Sequence, residues 1–180
     1  LASHWRNNHA VSWGVDVLIF VLMWALAASI WVQEPQVRSF FAPYPAPPNY
    51  EYYPVSDAMV YDVGGQTAII GQGLGNGGHV DKPLLATFMA LLHMIVGQDF
   101  SQMANFQAAV LALLPGLLYL LGKSLHSRPA GVVAGLLGLF KGQNAIASGW
   151  MVLSANPKVL TSEYPMALVL VLFTVFMVCW

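Results

Sequence analysis

Charged residues are scarce in this sequence. Among its 180 residues are only 7 Lys and Arg and 8 Asp and Glu, so 8% of the chain is charged, against about 25% in an ordinary soluble domain. Hydrophobic residues make up 57% of the chain. This composition argues against a water-soluble fold and predicts a membrane protein.

Basic charge and cysteine are also nearly absent. A formal net charge of −1 offers no positive surface to a phosphate backbone, which argues against nucleic-acid binding. The single cysteine, Cys179, permits neither an internal disulfide nor a cysteine metal cage. The chain begins at Leu1 and stops at Trp180 inside an apolar run. We therefore expect it to be the N-terminal part of a longer membrane protein, inactive by itself.

Four apolar runs approach the length of about 20 residues that a membrane-spanning helix needs. They cover residues 15–32, 101–121, 130–153 and 164–180. The second is expected to bend at Pro115, and the third opens with a small-residue face suited to close helix packing in lipid. The sequence thus predicts an all-α polytopic transmembrane bundle. A secretory signal peptide is the alternative for the first run, but bulky Trp31 and the later runs favour a retained span.

The distribution of Lys and Arg predicts the orientation. The N-terminal segment carries Arg6, and the turn 122–129 carries Lys123 and Arg128 without an acid. Seven of the eight acids lie instead in residues 33–99 and 154–163. We expect the N-terminus and the 122–129 turn to face the cytoplasm of a bacterial or archaeal cell. The other two segments would share the outer face.

The long first loop, residues 33–100, is expected to carry interfacial helices. Ser56 is a candidate N-cap for a helix from Asp57 to about Gly71. A glycine run follows, which we interpret as a flexible hinge because no Lys-Ser/Thr pair completes a phosphate-binding loop. The apolar run 84–96 is too short to cross and is expected to lie in the interface or on the bundle.

Several polar residues are candidates for a site on the outer face. By the expected topology, carboxylates distant in sequence converge there beside a lysine. These residues are Asp57, Asp62, Asp81, Lys82 and Glu163. A structural alternative remains for Asp57 and Glu163, since a carboxylate at a helix N-terminus also complements the helix dipole.

Lys141 is a separate case, because it falls inside the third apolar run beside Gln143 and Asn144. A lysine at membrane depth usually faces protein or a water-filled cavity. We expect a buried polar role, structural or lipid-phosphate binding. Snorkelling towards the interface is the alternative.

The order of these features resembles the N-terminal part of GT-C glycosyltransferases of the dolichyl-phosphate-mannose protein mannosyltransferase and aminoarabinose-transferase type. The matching pieces are Ser56-Asp57-Ala58-x-x-Tyr61-Asp62, Asp81-Lys82-Pro83-Leu84, Leu92-His93-x-x-x-Gly97, Tyr119-Leu120-Leu121-Gly122 and Lys158-x-x-x-Ser162-Glu163-x-Pro165. The family often has Asp-Glu where this chain has Asp57-Ala58, and Lys-Pro-Pro where it has Lys82-Pro83-Leu84.

The resemblance implies an enzyme that moves a hexose or pentose from a polyprenyl-phosphate donor to an acceptor hydroxyl, with inversion. Asp57 would be the catalytic acid or base, and Glu163 the acid after the third span. Lys82 would bind the donor phosphate, with Asp62, Tyr61 and Lys141 as possible supporting residues. A divalent cation, Mg²⁺ or Mn²⁺, is compatible with this chemistry.

A non-enzymatic transporter or channel subunit is the competing hypothesis. Lys141, Gln143 and Asn144 would then line a solute path. The sequence shows no internal repeat, and its acids cluster at one surface, which favours the transferase. The sugar and the acceptor (protein, lipid or polysaccharide) do not follow from the sequence.

Overall fold

The computed structural model describes residues 2–48, 50–74, 82–149 and 155–179, with the backbone alone for residues 2–12 and 179. These residues form the helices α1 (Ala2–Gln33), α2 (Asp57–Ile69), α3 (Pro83–Val96), α4 (Phe100–Leu111), α5 (Leu113–Leu125), α6 (Arg128–Ser148) and α7 (Glu163–Cys179). No strand occurs in these ranges. The predicted all-α class is therefore confirmed.

Three helical segments in the described ranges are long and apolar enough to cross a membrane. They are Trp13–Gln33 in α1, Phe100–Leu125 across α4 and α5, and Arg128–Ser148, which is α6. α4 and α5 are separated at Ala112. Pro115 accounts for this break, because it has no N–H to donate to the carbonyl of Leu111, four residues earlier.

The third and fourth predicted spans correspond to α6 and α7. The third was predicted to reach residue 153, which is wrong, because α6 ends at Ser148 and Gly149 turns the chain with a φ of 35°. Residues 150–153 lie outside the described ranges. The fourth corresponds to α7, whose 17 residues fall short of a full span of about 20. A fourth crossing stays a prediction.

Trp31 is central to the packing of the bundle. Its side chain is fully buried, and its indole nitrogen donates a 3.0 Å hydrogen bond to the carbonyl of Leu139 in α6. Its ring meets Tyr164 of α7 edge-on, with the centroids 5.8 Å apart. A Cβ added to Gly142 would lie 2.2 Å from the indole ring. Only glycine at this position lets α6 approach Trp31 so closely, as the predicted small-residue face requires.

An ion cluster joins α1 to the turn between α5 and α6. Asp16 is 3% exposed, and its Oδ1 accepts hydrogen bonds of 2.8 Å from the Tyr119 hydroxyl and from Arg128 Nε. Its Oδ2 accepts from Lys123 Nζ at 2.6 Å. The two basic residues of the turn are therefore paired with the one acid outside the acidic segments. The positive-inside rule counts Lys and Arg and gives little weight to acids, so the pairing with Asp16 does not change the expected orientation. That orientation stays a prediction.

α2 and α3 pack together beside the bundle. Met89 and Leu92 of α3 are buried with Met103 of α4. On its other side, α3 leaves Leu84 and Met94 exposed. Such an apolar outer face suits the interfacial position predicted for this helix, and that position stays a prediction. α2 begins directly after Ser56 as predicted, but the Ser56 side chain makes no capping hydrogen bond.

Replacing Gly65 with alanine should force α2 away from α3. A Cβ there would lie 2.7 Å from the Cβ of Met89 and 2.8 Å from the backbone nitrogen of Ala90. We expect a loss of about 1–3 kcal/mol from overpacking, more than the roughly 1 kcal/mol that alanine gains over glycine in a helix. Thermal unfolding in lipid nanodiscs measures this. Gly64→Ala is the control, because its Cβ would lie 3.5 Å from that of Ala86, an ordinary contact. Equal losses in both variants would contradict the close packing at Gly65.

Candidate functional site

Lys82 lies where α2, α3 and α7 come together. It is the residue before α3, and its ammonium donates hydrogen bonds to the hydroxyl of Tyr61 in α2 and to Oγ of Ser162, the latter at 3.1 Å. Ser162 directly precedes α7. The Lys82 nitrogen also lies 4.5 Å from the centroid of the Tyr61 ring. We call Lys82, Tyr61 and Ser162 the lysine cluster.

Two exposed acids flank the lysine cluster. Asp57 is the first residue of α2, one turn before Tyr61, and Glu163 is the first residue of α7 and follows Ser162. The hydrogen bond between Lys82 and Ser162 brings the first loop into contact with the segment before α7. That both acids contact one substrate stays a prediction.

The charges of this region suit an anion only in part. Lys82 contributes one positive charge, and the first turn of a helix offers unpaired backbone N–H groups and the positive end of the helix dipole. Such helix ends commonly bind phosphate. Asp57 and Glu163 add two negative charges, so the three side chains together carry −1. The site can therefore combine an anion next to Lys82 with a proton acceptor beside it.

Ser162 is positioned by a buried, irregular segment, residues 155–162. Gln107 of α4 is fully buried, and its side-chain nitrogen donates to the carbonyls of Pro157, at 3.0 Å, and Val159, at 2.8 Å. Backbone carbonyls without a helix partner must be satisfied when they are buried. Gln107 thus allows a non-helical segment to lie inside the bundle.

Lys158 fixes the same segment to the end of α1. Its ammonium donates to the carbonyl of Val32, at 3.1 Å, and to that of Glu34, at 2.6 Å. A cation at a helix C-terminus also complements the dipole. Burial lowers the pKa of Lys158, and the charge of Glu34 opposes this in part. Lys158 is therefore a structural residue in this arrangement, and it is 3% exposed.

The second acid of α2, Asp62, is directed into the protein. Asp62 is 3% exposed, and its carboxylate bonds to His93 of α3 and to Gln66. Its position makes it a supporting residue between two helices. Asp81, the other expected acid of this loop, lies outside the described residues, as does His79.

Lys141 is not part of the lysine cluster. Its side chain is exposed on α6, as is that of Asn144, one turn later. Lys141 is thus not buried among the described residues, and its expected polar role stays a prediction. The solute path proposed for Lys141, Gln143 and Asn144 also stays a hypothesis, with Gln143 half-buried between the two exposed residues.

Three residues that organise the site were not recognised as such from the sequence. His93 and Lys158 were named only within motifs of the resemblance, and Gln107 was not named. A polar residue in an apolar helix is a signal of an internal partner. The partners are loop carbonyls and a distant carboxylate, which no spacing rule predicts.

One open cleft of the structure is not lined by residues of the lysine cluster. An open cleft of about 320 Å³ lies in the Pro/Tyr-rich part of the first loop. It is lined by Pro43, Tyr44, Ala46, Pro47, Pro48, Glu51, Tyr53 and Val55. Among the described residues, no group of three or more His, Cys, Asp or Glu side chains could hold a metal ion. The divalent cation stays a prediction, and no step below is routed through it.

Comparisons with protein-family models, with curated proteins and with solved structures found no match to this chain. The resemblance to GT-C glycosyltransferases therefore rests on the motifs and on their order.

Cysteines placed in α2 and in the turn before α6 should react from opposite sides of the membrane. Met59→Cys and His126→Cys are suitable because both side chains are exposed, in a background with Cys179→Ala. We expect a membrane-impermeant thiol reagent applied to intact cells to label position 59 alone, and to label position 126 only after the membrane is opened. Labelling of both from outside would refute the orientation and, with it, the outer-face site.

Proposed function

We propose that this chain is the N-terminal part of a membrane glycosyltransferase that takes a sugar from a polyprenyl-phosphate donor. The observation that supports the proposal is the lysine cluster, in which Lys82 joins α2, α3 and the start of α7. An ammonium, two hydroxyl groups and helix N-termini are a donor set for a phosphate. The same residues match the motifs of the GT-C family.

The proposed reaction is a single displacement at the anomeric carbon. Asp57 accepts the proton of the acceptor hydroxyl, whose oxygen then attacks the anomeric carbon. The bond between that carbon and the phosphate oxygen breaks, and its electron pair leaves with the polyprenyl phosphate. Lys82 stabilises the charge that develops on this leaving group. One displacement inverts the configuration of the sugar.

Glu163 is the second proposed catalytic acid. It follows Ser162, which contacts Lys82 directly, so it can orient the acceptor or the sugar hydroxyls. Tyr61 supports the site by holding the ammonium of Lys82. A lipid-linked donor explains the membrane context, because its apolar tail remains in the bilayer while its phosphate lies at the surface.

A transporter or channel subunit is the alternative function. It would require polar side chains facing an internal path. Lys141 and Asn144 are exposed on the outside of the described bundle, whereas the lysine cluster lies at one end of it. This distribution favours the transferase.

Lys82→Met should weaken binding of polyprenyl monophosphate in nanodiscs. A charge-assisted contact to phosphate contributes about 1.5–3 kcal/mol, so we expect the dissociation constant to rise roughly tenfold to a hundredfold. Neutral polyprenol is the control ligand, and its binding should not change. Lys141→Met should retain the affinity. A loss confined to Lys141→Met would move the phosphate site to α6.

Asp57→Asn should abolish transfer from polyprenyl-phosphate sugars while the fold survives. A general base contributes about 10²- to 10⁴-fold to the rate, whereas an acid in a first helical turn contributes about 1 kcal/mol or less to stability. Turnover in the full-length chain and thermal unfolding are measured together.

Asp99→Asn is the matched control for Asp57→Asn. Asp99 is an exposed acid before α4, where it accepts a 3.0 Å hydrogen bond from the backbone of Gln102. Because asparagine caps helices as well as aspartate does, we expect wild-type turnover. Normal turnover in Asp57→Asn would show that Asp57 serves only the helix dipole.

A further inference from the structure

A buried ion pair joins α2 to α3. Asp62 is 3% and His93 5% exposed, and the distance between Oδ1 of Asp62 and Nε2 of His93 is 2.7 Å. The other carboxylate oxygen accepts from Gln66 at 2.7 Å. The other ring nitrogen, Nδ1, lies 2.9 Å from the carbonyl oxygen of Gly97.

These contacts fix the protons of the pair. A carbonyl oxygen can only accept, so Nδ1 of His93 carries the proton that it donates to Gly97. Nε2 faces a carboxylate oxygen at 2.7 Å, which is a hydrogen bond only when a proton lies between the two atoms. The intact pair therefore holds one proton between the two atoms, and because the ordinary pKa of histidine lies above that of aspartate, the pair is imidazolium and carboxylate. Loss of one proton would set a nitrogen lone pair against the carboxylate of Asp62.

α2 contacts α3 at three levels. Tyr61 bonds to Lys82 at the start of α3, Gly65 packs against its middle, and Asp62 bonds to His93 near its end. Lys82 and His93 are 11 residues apart, which is about 16 Å along a helix axis. α2 therefore crosses α3, with the lysine cluster on one side of the crossing and the ion pair on the other.

We propose that the protonated Asp62–His93 pair is a positioning latch that holds α2 across α3 and so keeps Tyr61 against Lys82. The proposal rests on the phosphate-binding role proposed for Lys82. Tyr61 and Asp62 are consecutive residues. A movement of this part of α2 away from α3 that separates Asp62 from His93 therefore also moves the Tyr61 hydroxyl away from the ammonium.

Asp62 supplies the charge that acts on His93. Burial disfavours the charged imidazole, but the hydrogen bond that it donates to Asp62, the bond to Gly97 and the Asp62 charge outweigh this effect, so the pKa of His93 is raised. From α4, the uncharged ring of Phe100 packs edge-on, with the centroids 6.1 Å apart. The remaining ionisable side chains on the neighbouring elements are exposed or bonded to other groups: Asp57, Tyr61, Lys82, Asp99 and Lys158.

The raised pKa sets the direction of the pH dependence. The contribution of the pair is complete below the ordinary histidine pKa of about 6.5. It is lost as the pH rises through the higher pKa of His93 in the folded protein. The Asp62–His93 pair is thus intact in mildly acidic solution and separates at alkaline pH.

The test compares the wild type with His93→Gln in nanodiscs, from about pH 6 to about pH 9.5. Glutamine keeps an N–H donor for Asp62 at every pH but does not titrate. The first readout is acylation of Lys82 by an amine reagent, measured by mass spectrometry relative to a lysine-containing reference peptide added to the same sample. The second is the affinity for polyprenyl monophosphate. His126→Gln, an exposed histidine at the turn before α6, is the matched control.

In the wild type and in His126→Gln, we expect acylation of Lys82 relative to the reference peptide to rise about tenfold or more across this range, and the affinity to fall in parallel. In His93→Gln, the relative acylation of Lys82 should stay nearly constant, and the affinity should follow only the second ionisation of the phosphate, whose pKa is about 6. If His93→Gln does not fold, the neutral pair Asp62→Asn/His93→Gln replaces it, with the same flat profile expected.

Acylation profiles that are equal in the wild type and in the non-titrating variant overturn the proposal. So does an affinity that is constant with pH in the wild type while its Lys82 becomes reactive. A wild type that binds no polyprenyl monophosphate at any pH refutes the proposed function instead. The acylation profile then still decides whether the pair positions Lys82.

Discussion

The last carbonyl groups of α1 have no partner within the helix, and the ammonium of Lys158 supplies one. This contact fixes the irregular segment 155–162 at the end of α1. Gln107 then satisfies two further carbonyls of the same segment. These contacts position Ser162, which accepts a hydrogen bond from Lys82, and the start of α7 directly after it. The lysine cluster therefore depends on the hydrogen bonds that satisfy these buried backbone carbonyls.

Periodicity and composition predicted the helices well. The scarcity of charge and the apolar runs indicated three of the spans, and Pro115 indicated the break between α4 and α5. The prediction was wrong at the end of α6, because an apolar sequence after Gly149 does not reveal that the backbone turns there. Helix ends depend on one residue's φ and on contacts with other parts of the chain, whereas helix existence depends on many residues together.

The roles of the candidate site residues remain predictions. The distribution of charge in the loops predicted that Asp57, Lys82 and Glu163 lie on one face. The contact between Lys82 and Ser162 agrees with that arrangement. The separate roles of Asp57 and Asp62 were not predictable, since both are acids on one short helix and differ only in which way they face. Burial of Asp62 depends on His93, 31 residues away. Sequence spacing carries no information about such a pair.

The Asp16 cluster has a consequence for the way this protein is made. Asp16 is synthesised 107 residues before Lys123, so the first helix enters the membrane before either of its cationic partners exists. An unpaired carboxylate within a transmembrane helix costs up to about 3 kcal/mol on insertion, less near the helix end. The hairpin of α5 and α6 brings Lys123 and Arg128 together in one step. The ion cluster of Asp16 can therefore form only after the start of α6 has been synthesised.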